Sequence, residues 1–385
     1  MRFASLWMPF ALGLLTGCQS TDVAPATRAG QPLEADERSL WERVQQEQDA
    51  LDRSGFVAAW PDAEAYLNAV VARLHPGPLV GGAQVHVKIL VDPTLNAFTL
   101  PNGALYIHTG MLARIENEAQ LATVLGHELS HATNRHGLKQ YRNIKNQSAF
   151  LASLTVGTSG IGTLLGGLGV MASVSGYSRE LEREADVSGF QMLLAAGYDP
   201  RESPKVFRVL LDESQRSKIK EPFFFGSHPR LTERIASFEQ LIAALPAARR
   251  AGRTDAEAYA AILPRVLVAN AEAALRAGDY EAACTCAEHA LALGPDDAGA
   301  ALQFAEVFRK RGAEGDAVKA LHLFRELTGR HPDLPEAQRG LGLVLFKSGD
   351  RSAAAAAFRR YLALRPAADD RAYIESFLQR CDQNS

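Results

Sequence analysis

The sequence predicts a mainly α (α+β) protein: a helical unit broken by one small β-hairpin or sheet, then an α-solenoid of repeated helical hairpins. Three observations predict it. Helical periodicity dominates the N-terminal part, strand-like alternation is confined to positions 85–110, and the C-terminal part repeats a Gly-Asp…Pro pattern. At 385 residues the chain exceeds one typical core and divides into two or three domains. An apolar share of 47% and a charged share of 22% suit a folded protein, and a formal charge of −3 leaves no basic footprint, so no nucleic acid is expected as a partner.

Taken in order, Met1-Arg2 precedes the apolar run Phe3 to Leu15, too short to anchor in a bilayer by spanning it. The run ends in Leu15-Thr16-Gly17-Cys18, where small residues fit a signal-peptidase pocket and a thiol is available for lipid attachment. Residues 1–17 resemble a bacterial lipoprotein signal peptide, which implies lipidation at Cys18. Several acyl chains at ~0.8 kcal/mol per buried CH₂ would hold such a protein on a membrane. Gln19 follows the cysteine, and by resemblance to lipoprotein sorting this favours the periplasmic face of the outer membrane. Residues 18–38 are polar and small and read as a flexible tether. Helices are expected at about Leu40–Leu51 and Ala63–Leu74, and a strand over Val85–Val91. Asn96 to Gly110 reads as two short extended pieces around the turn Pro101-Asn102-Gly103, and Glu118 to Asn134 as a helix.

Ala247 to Thr254 (AARRAGRT) signals a linker, delimited as 251–263. Beyond it Gly278-Asp279, Gly315-Asp316 and Gly349-Asp350 recur, each 17 residues before a proline (Pro295, Pro332, Pro366). Alanine falls at one offset (Ala283, Ala320, Ala354), and Ala287, Phe324 and Phe358 at the next contact position. This is similar to the tetratricopeptide repeat, whose paired helices need a small residue at their close contact and a proline after the second helix. Repeats with a capping helix at Asp370–Arg380 are assigned to 264–385, a stack that presents a concave surface to peptides or proteins. Cys284 and Cys286 lie two apart on one predicted helix and cannot bridge each other; one pairs with Cys381, or all three stay thiols.

The chemistry lies in His127-Glu128-Leu129-Ser130-His131. Its imidazoles, at i and i+4, share one helical face, which lets both bind one cation. Neutral imidazole suits zinc, and a catalytic zinc keeps three protein ligands and one open position. Glu128 would reach a water on the metal and take its proton as that water attacks a peptide carbonyl. Downstream, Tyr177 to Asp186 (YSRELEREAD) opens a helix dense in carboxylates, one of which supplies the third ligand. Spacing does not choose among Glu180, Glu182 and Glu184. Glu180 shares a face with Glu184, and Glu182 with Asp186.

NAFTLPNG, GHELSHATNRH, YSRELEREAD and Ser227-His228-Pro229-Arg230-Leu231-Thr232-Glu233-Arg234 occur in that order. Together they resemble the HtpX and CAAX-prenyl-protease family of gluzincin peptidases. With the lipobox in front and the repeats behind, the chain is similar to that family's periplasmic BepA-like branch. The resemblance implies a zinc metallopeptidase domain at 39–250, one Zn²⁺ per chain held by His127, His131 and Glu182, and Glu128 as general base. It further implies that Asp186 orients a ligand imidazole, that His228 and Arg234 face the active site as catalytic groups, and that Asn96, Ala97 and Phe98 form an edge strand along which substrate is laid. His228 would donate to a developing oxyanion or, in a closed resting state, be a fourth ligand. His86, His108 and His136 are left as structural. The stretch Ser148–Ser178 has no charged residue, but seven glycines between Gly157 and Gly176 make a poor membrane helix, and one crossing would separate His131 from Glu182. It reads as a mobile apolar segment near the site or as a helical hairpin on the membrane surface.

The expected function is a periplasmic zinc endopeptidase that cleaves unfolded or misassembled envelope polypeptides, with the repeats recruiting the outer-membrane protein assembly machinery. The alternative is a non-proteolytic chaperone or adaptor working through the repeats. An intact Glu128 favours the enzyme, because a purely structural metal site has no use for a general base.

Overall fold

A computed structural model describes residue 23 and residues 32–145, 177–216 and 231–383. Cys18 and its leader, His228 and all of the apolar stretch before Tyr177 lie outside the described residues. Among the described residues no helix is long and apolar enough to cross a membrane.

Helix α1 (Ala35–Asp52) begins earlier than its periodicity suggested. Residues 35–38, read as tether, form its first turn, and Val23 is buried beside Leu40 and Val44. The acidic residues of this turn are neutralised by arginines far along the chain. Glu37, 2% exposed, pairs with Arg135, while Glu34 and Asp36 pair with Arg142. Helix α2 (Pro61–Leu74) opens on the proline that its first turn tolerates.

Three strands follow, β1 (His86–Leu90), β2 (Ala97–Thr99) and β3 (Ala104–His108), in the order β1-β3-β2. β1 runs parallel to β3, and β2 pairs antiparallel to it. The β2–β3 turn needs Gly103: φ is +90°, and a Cβ there would meet Leu79 Cδ1 at 2.5 Å. Strand alternation sends Val87, Ile89, Ala97, Leu105 and Ile107 to one core and Leu90, Phe98, Ala104 and Tyr106 to another. Both faces of the sheet are therefore covered, the second by α1.

The short α3 (Thr109–Leu112) leads to α4 (Glu118–Thr133), capped by Asn117 and buried at every residue, so it forms the axis of the unit. After α5 (His136–Lys145) come α6 (Arg179–Ala195), α7 (Ser203–Arg216), α8 (Leu231–Ala243) and α9 (Ala256–Ala260). The segment 251–263 is no free linker. Asp199 N donates to Arg253 O at 3.0 Å, and fully buried Tyr259 donates from its hydroxyl to Leu112 O at 2.5 Å.

Three helical hairpins complete the chain: α10 (Leu263–Ala277) with α11 (Tyr280–Leu293), α12 (Ala298–Arg311) with α13 (Asp316–Arg330), and α14 (Pro335–Ser348) with α15 (Arg351–Leu364). Helix α16 (Arg371–Asp382) caps the stack. Ala283, Ala320, Ala354, Phe324 and Phe358 are fully buried at the helix contacts. Gly278 and Gly349 end α10 and α14 in the left-handed conformation. In the middle hairpin Gly312 does this instead, and residues 312–314 are the insertion that lengthens the first interval. Val266, Leu267, Ala271 and Cys286 of the first hairpin belong to the same apolar cluster as α2 and α4, so the two parts share one core. No disulfide is seen among the described residues: Cys286 sits against Asn270 and Arg114, whereas Cys381 is buried with Leu345, Phe346 and Ile374 at the far end.

Candidate metal centre

The site forms where α4 meets α6. A Cβ on Gly189 would lie 2.8 Å from both Gly126 C and His127 N, so two glycines let the helix backbones touch. That close crossing carries Glu182, at the N-terminal end of α6, onto the two histidines of α4. Ser178 caps α6 by accepting the Leu181 amide. Of the three candidate acids, Glu182 alone is fully buried at the histidines; Glu180 is exposed, and Glu184 turns to His136.

His127 Nε2 lies 3.2 Å from His131 Nε2 and 3.4 Å from Glu182 Oε2, and His131 Nε2 is 3.7 Å from Glu182 Oε1. With bonds of about 2.0–2.1 Å to a central ion, neighbouring ligands of a tetrahedral zinc stand about 3.3 Å apart. The donor set of two imidazoles and one carboxylate, all buried, therefore fits zinc in both spacing and chemistry.

Glu128 is 3% exposed beside the cluster, and among the described residues its Oε1 has no hydrogen-bond partner. Burial pushes its carboxyl up to about 8, with the Glu182 charge adding to this and the His127 charge opposing it. An ion at the three ligands would favour the ionised form.

Each imidazole is held from behind. His127 Nδ1 is 2.9 Å from Asp186 Oδ1 and 3.0 Å from Arg234 Nη2, and Arg234 donates to Asp186 through Nε (3.1 Å) and Nη2 (2.5 Å). Burial and the Arg234 charge press the His127 pKa down. Asp186 and Glu182 outweigh them, and it stands at about 9. The structure thus places Asp186 against the His127 imidazole. Arg234, expected as a catalytic group facing the active site, lies instead on the Nδ1 side of His127, stacked 4.2 Å over Phe207. Its contacts are those of a positioning group.

His131 Nδ1 is 2.8 Å from His136 Nδ1, and its ring stacks on Tyr177 with centroids 4.0 Å apart. His136, left as structural in the sequence, is fully buried in this contact. Burial lowers its pKa to about 4, keeping it neutral. A third histidine just past the helix was the available signal, but the spacing of five residues faces away on a continuous helix. His108, by contrast, packs at Asp92 and Thr94, and His86 is exposed at the start of β1.

β2 ends the sheet among the described residues. His108 N donates to Asn96 O and Leu100 N to Ala104 O, so the even positions 96, 98 and 100 bond to β3. The outward amides and carbonyls belong to Ala97 and Thr99. Of the expected edge residues Asn96, Ala97 and Phe98, only Ala97 offers its backbone to a further strand.

Residues 61–242 match the model of peptidase family M48. This stretch is an M48 peptidase domain. The matched residues include His127, His131 and Glu182 as well as Glu128, Asp186 and Arg234. The mitochondrial metalloendopeptidase OMA1 of Arabidopsis thaliana is 34% identical over 34% of this chain and 26% of its own length. The beta-barrel assembly-enhancing protease of Escherichia coli O157:H7 is 29% identical over 44% of this chain and 37% of its own. The chain thus spans about a quarter to two fifths of these relatives. The first tetratricopeptide domain of the human RPAP3 protein covers 32% of this chain and 98% of its own at 15% identity, with a TM-score of 0.28, too low to bear on the fold.

Proposed function

We propose that the chain is a zinc-dependent metalloendopeptidase of the cell envelope, acting on unfolded or misassembled polypeptides in outer-membrane protein assembly. One observation carries this reading: a buried triad of His127, His131 and Glu182 at zinc-ligand spacing, with the Glu128 carboxyl beside it. Zinc, when bound, supplies Lewis acidity that polarises a peptide carbonyl and makes water easier to deprotonate. Glu128 accepts the proton of that water at a carboxylate oxygen and passes it to the leaving amine. Asp186 and Arg234 fix His127, and the outward backbone of Ala97 and Thr99 pairs with an extended substrate, a mode that reads main chain and tolerates many sequences. His228 is assigned as oxyanion donor or as the fourth ligand of a closed state. Lipid at Cys18 holds the enzyme on the periplasmic face of the outer membrane, and the repeats engage the assembly machinery. The similarity to beta-barrel assembly-enhancing proteases supports the substrate class.

The test is degradation of an unfolded outer-membrane protein by the purified chain in detergent, with zinc measured in parallel. Glu128→Gln is expected to retain zinc and to lose at least about a hundredfold in rate. Undiminished degradation by that variant would overturn the mechanism. A wild-type chain that binds zinc and client protein but cleaves nothing would favour the adaptor.

A further inference from the structure

The two ligand imidazoles are backed differently: His127 by a carboxylate, His131 by another imidazole at 2.8 Å. We propose that His136 is the positioning residue of the second ligand. Its Nδ1 accepts the Nδ1–H of His131 and so holds His131 in the tautomer whose Nε2 lone pair points at the metal position. This role rests on the zinc reading above.

A neutral imidazole carries one N–H. Two facing Nδ1 atoms form a bond only when one bears the hydrogen and the other offers its lone pair. With His131 using Nε2 as a ligand, its hydrogen is on Nδ1, and His136 must carry its own on Nε2. That atom faces Glu184 Oε2 at 3.3 Å, a group that can only accept when ionised, and Glu184 is in turn met by Lys139 Nζ at 3.3 Å. The Nδ1–H of His131 is then given to His136, and the Nε2–H of His136 lies at ion-pair distance from Glu184 without the alignment of a hydrogen bond. The reverse arrangement sets the His136 Nε2 lone pair against a carboxylate and leaves a hydrogen on His131 Nε2, 3.2 Å from His127 Nε2. The outer carboxylate therefore selects the ligand tautomer two side chains away.

The backbone is built for this contact. Arg135 ends α4 at φ +53°, and the turn brings residue 136 round to the back of His131. A non-glycine residue in this conformation costs about 1 kcal/mol or more. The two-fold pairing of Arg135 with Glu37, at 2.5 and 2.9 Å, holds it there.

The experiment is chelator competition for zinc on the full chain, with melting of each metal-free variant as a control for folding. His136→Asn keeps an acceptor at the Nδ1 position and should bind zinc within about threefold of wild type, whereas His136→Leu loses about 10–100-fold. His136→Gln, which moves its polar atoms to the Nε2 position, loses a similar factor and stands in if the leucine variant does not fold. If the leucine or glutamine variant binds zinc as tightly as wild type, His136 has no positioning role. A wild-type chain that binds no zinc overturns the metallopeptidase reading itself and this one with it.

Discussion

Replacing Gly189 by alanine tests whether the α4–α6 crossing sets the metal geometry. The added Cβ would stand 2.8 Å from Gly126 C and His127 N, both backbone atoms, where ordinary contact begins at 3.4 Å. The shortfall is 3.4 − 2.8, about 0.6 Å, and neither helix can yield by rotating a side chain. Alanine gains about 1 kcal/mol of helix propensity over glycine, while overpacking costs about 1–3 kcal/mol. The fold should thus lose no more than about 2 kcal/mol. Metal binding should suffer more. Glu182 lies seven residues up the same helix, about 10 Å along a rigid rod, so most of the shift reaches its carboxylate. Metal–ligand distances tolerate about 0.2 Å, and a 0.6 Å displacement should weaken zinc binding at least tenfold, about 1.4 kcal/mol.

Gly126→Ala is the internal comparison. Its nearest contact is 3.2 Å to Gly189 O, so a shift of about 0.2 Å suffices and the helix-propensity gain offsets the cost. Zinc affinity by chelator competition and melting with and without metal should therefore rank wild type close to Gly126→Ala and well above Gly189→Ala. Wild-type affinity in Gly189→Ala would show that the crossing does not control the ligand geometry.

Arg234→Leu removes the partner of a buried carboxylate and should cost about 3–5 kcal/mol in urea unfolding; a change below 1 kcal/mol would mean that Asp186 is served by other groups. Gly340→Ala in α14 drives a Cβ to 2.2 Å from Phe324 Cε1 and should destabilise by about 1–3 kcal/mol, with Phe324→Leu in the same chain recovering part of the loss. Additive losses in that double mutant would place the strain elsewhere. For pH, burial alone would raise the Asp92 pKa, but the hydrogen bond and charge of His108, with Thr94, bring it to about 2. The folded state then binds this proton more weakly than an unfolded aspartate near 3.8, so the contribution is complete above about pH 4 and is lost as pH falls through 2. It amounts to about 2 kcal/mol, and Asp92→Asn should flatten the acid limb of stability against pH by that amount. An unchanged limb would assign the slope to other carboxylates.

Features that depend on neighbours along the chain were legible. The i, i+4 histidines, the alternation over 85–91 and the proline-terminated repeats are local patterns, and each maps onto an element with the expected phase. Features that depend on which helices meet were not. Glu180, Glu182 and Glu184 are equivalent in spacing, and only the packing of α6 on α4 singles out Glu182. Gly189 has no signature at all, because an isolated glycine in a helix looks like a defect until its partner Gly126 is known. The acidic first turn of α1 reads as tether for the same reason: the arginines that neutralise it come about a hundred residues later.

The linker at 251–263 shows what such distant contacts do to domain boundaries. Composition marks it as a joint, yet Tyr259 bonds to the carbonyl of Leu112, and four residues on α10 begins inside the peptidase core. From α10, buried Asn270 reaches Thr109, the residue directly after β3, with Oδ1 and Oγ1 3.0 Å apart; from α11, Cys286 packs beneath Arg114. The first hairpin thus completes the hydrophobic support of the sheet that bears the candidate substrate edge. On the proposed function, a polypeptide bound by the repeats would be held in a fixed frame relative to that edge, and both ends of an extended chain would be engaged without the entropic cost of ordering a flexible joint.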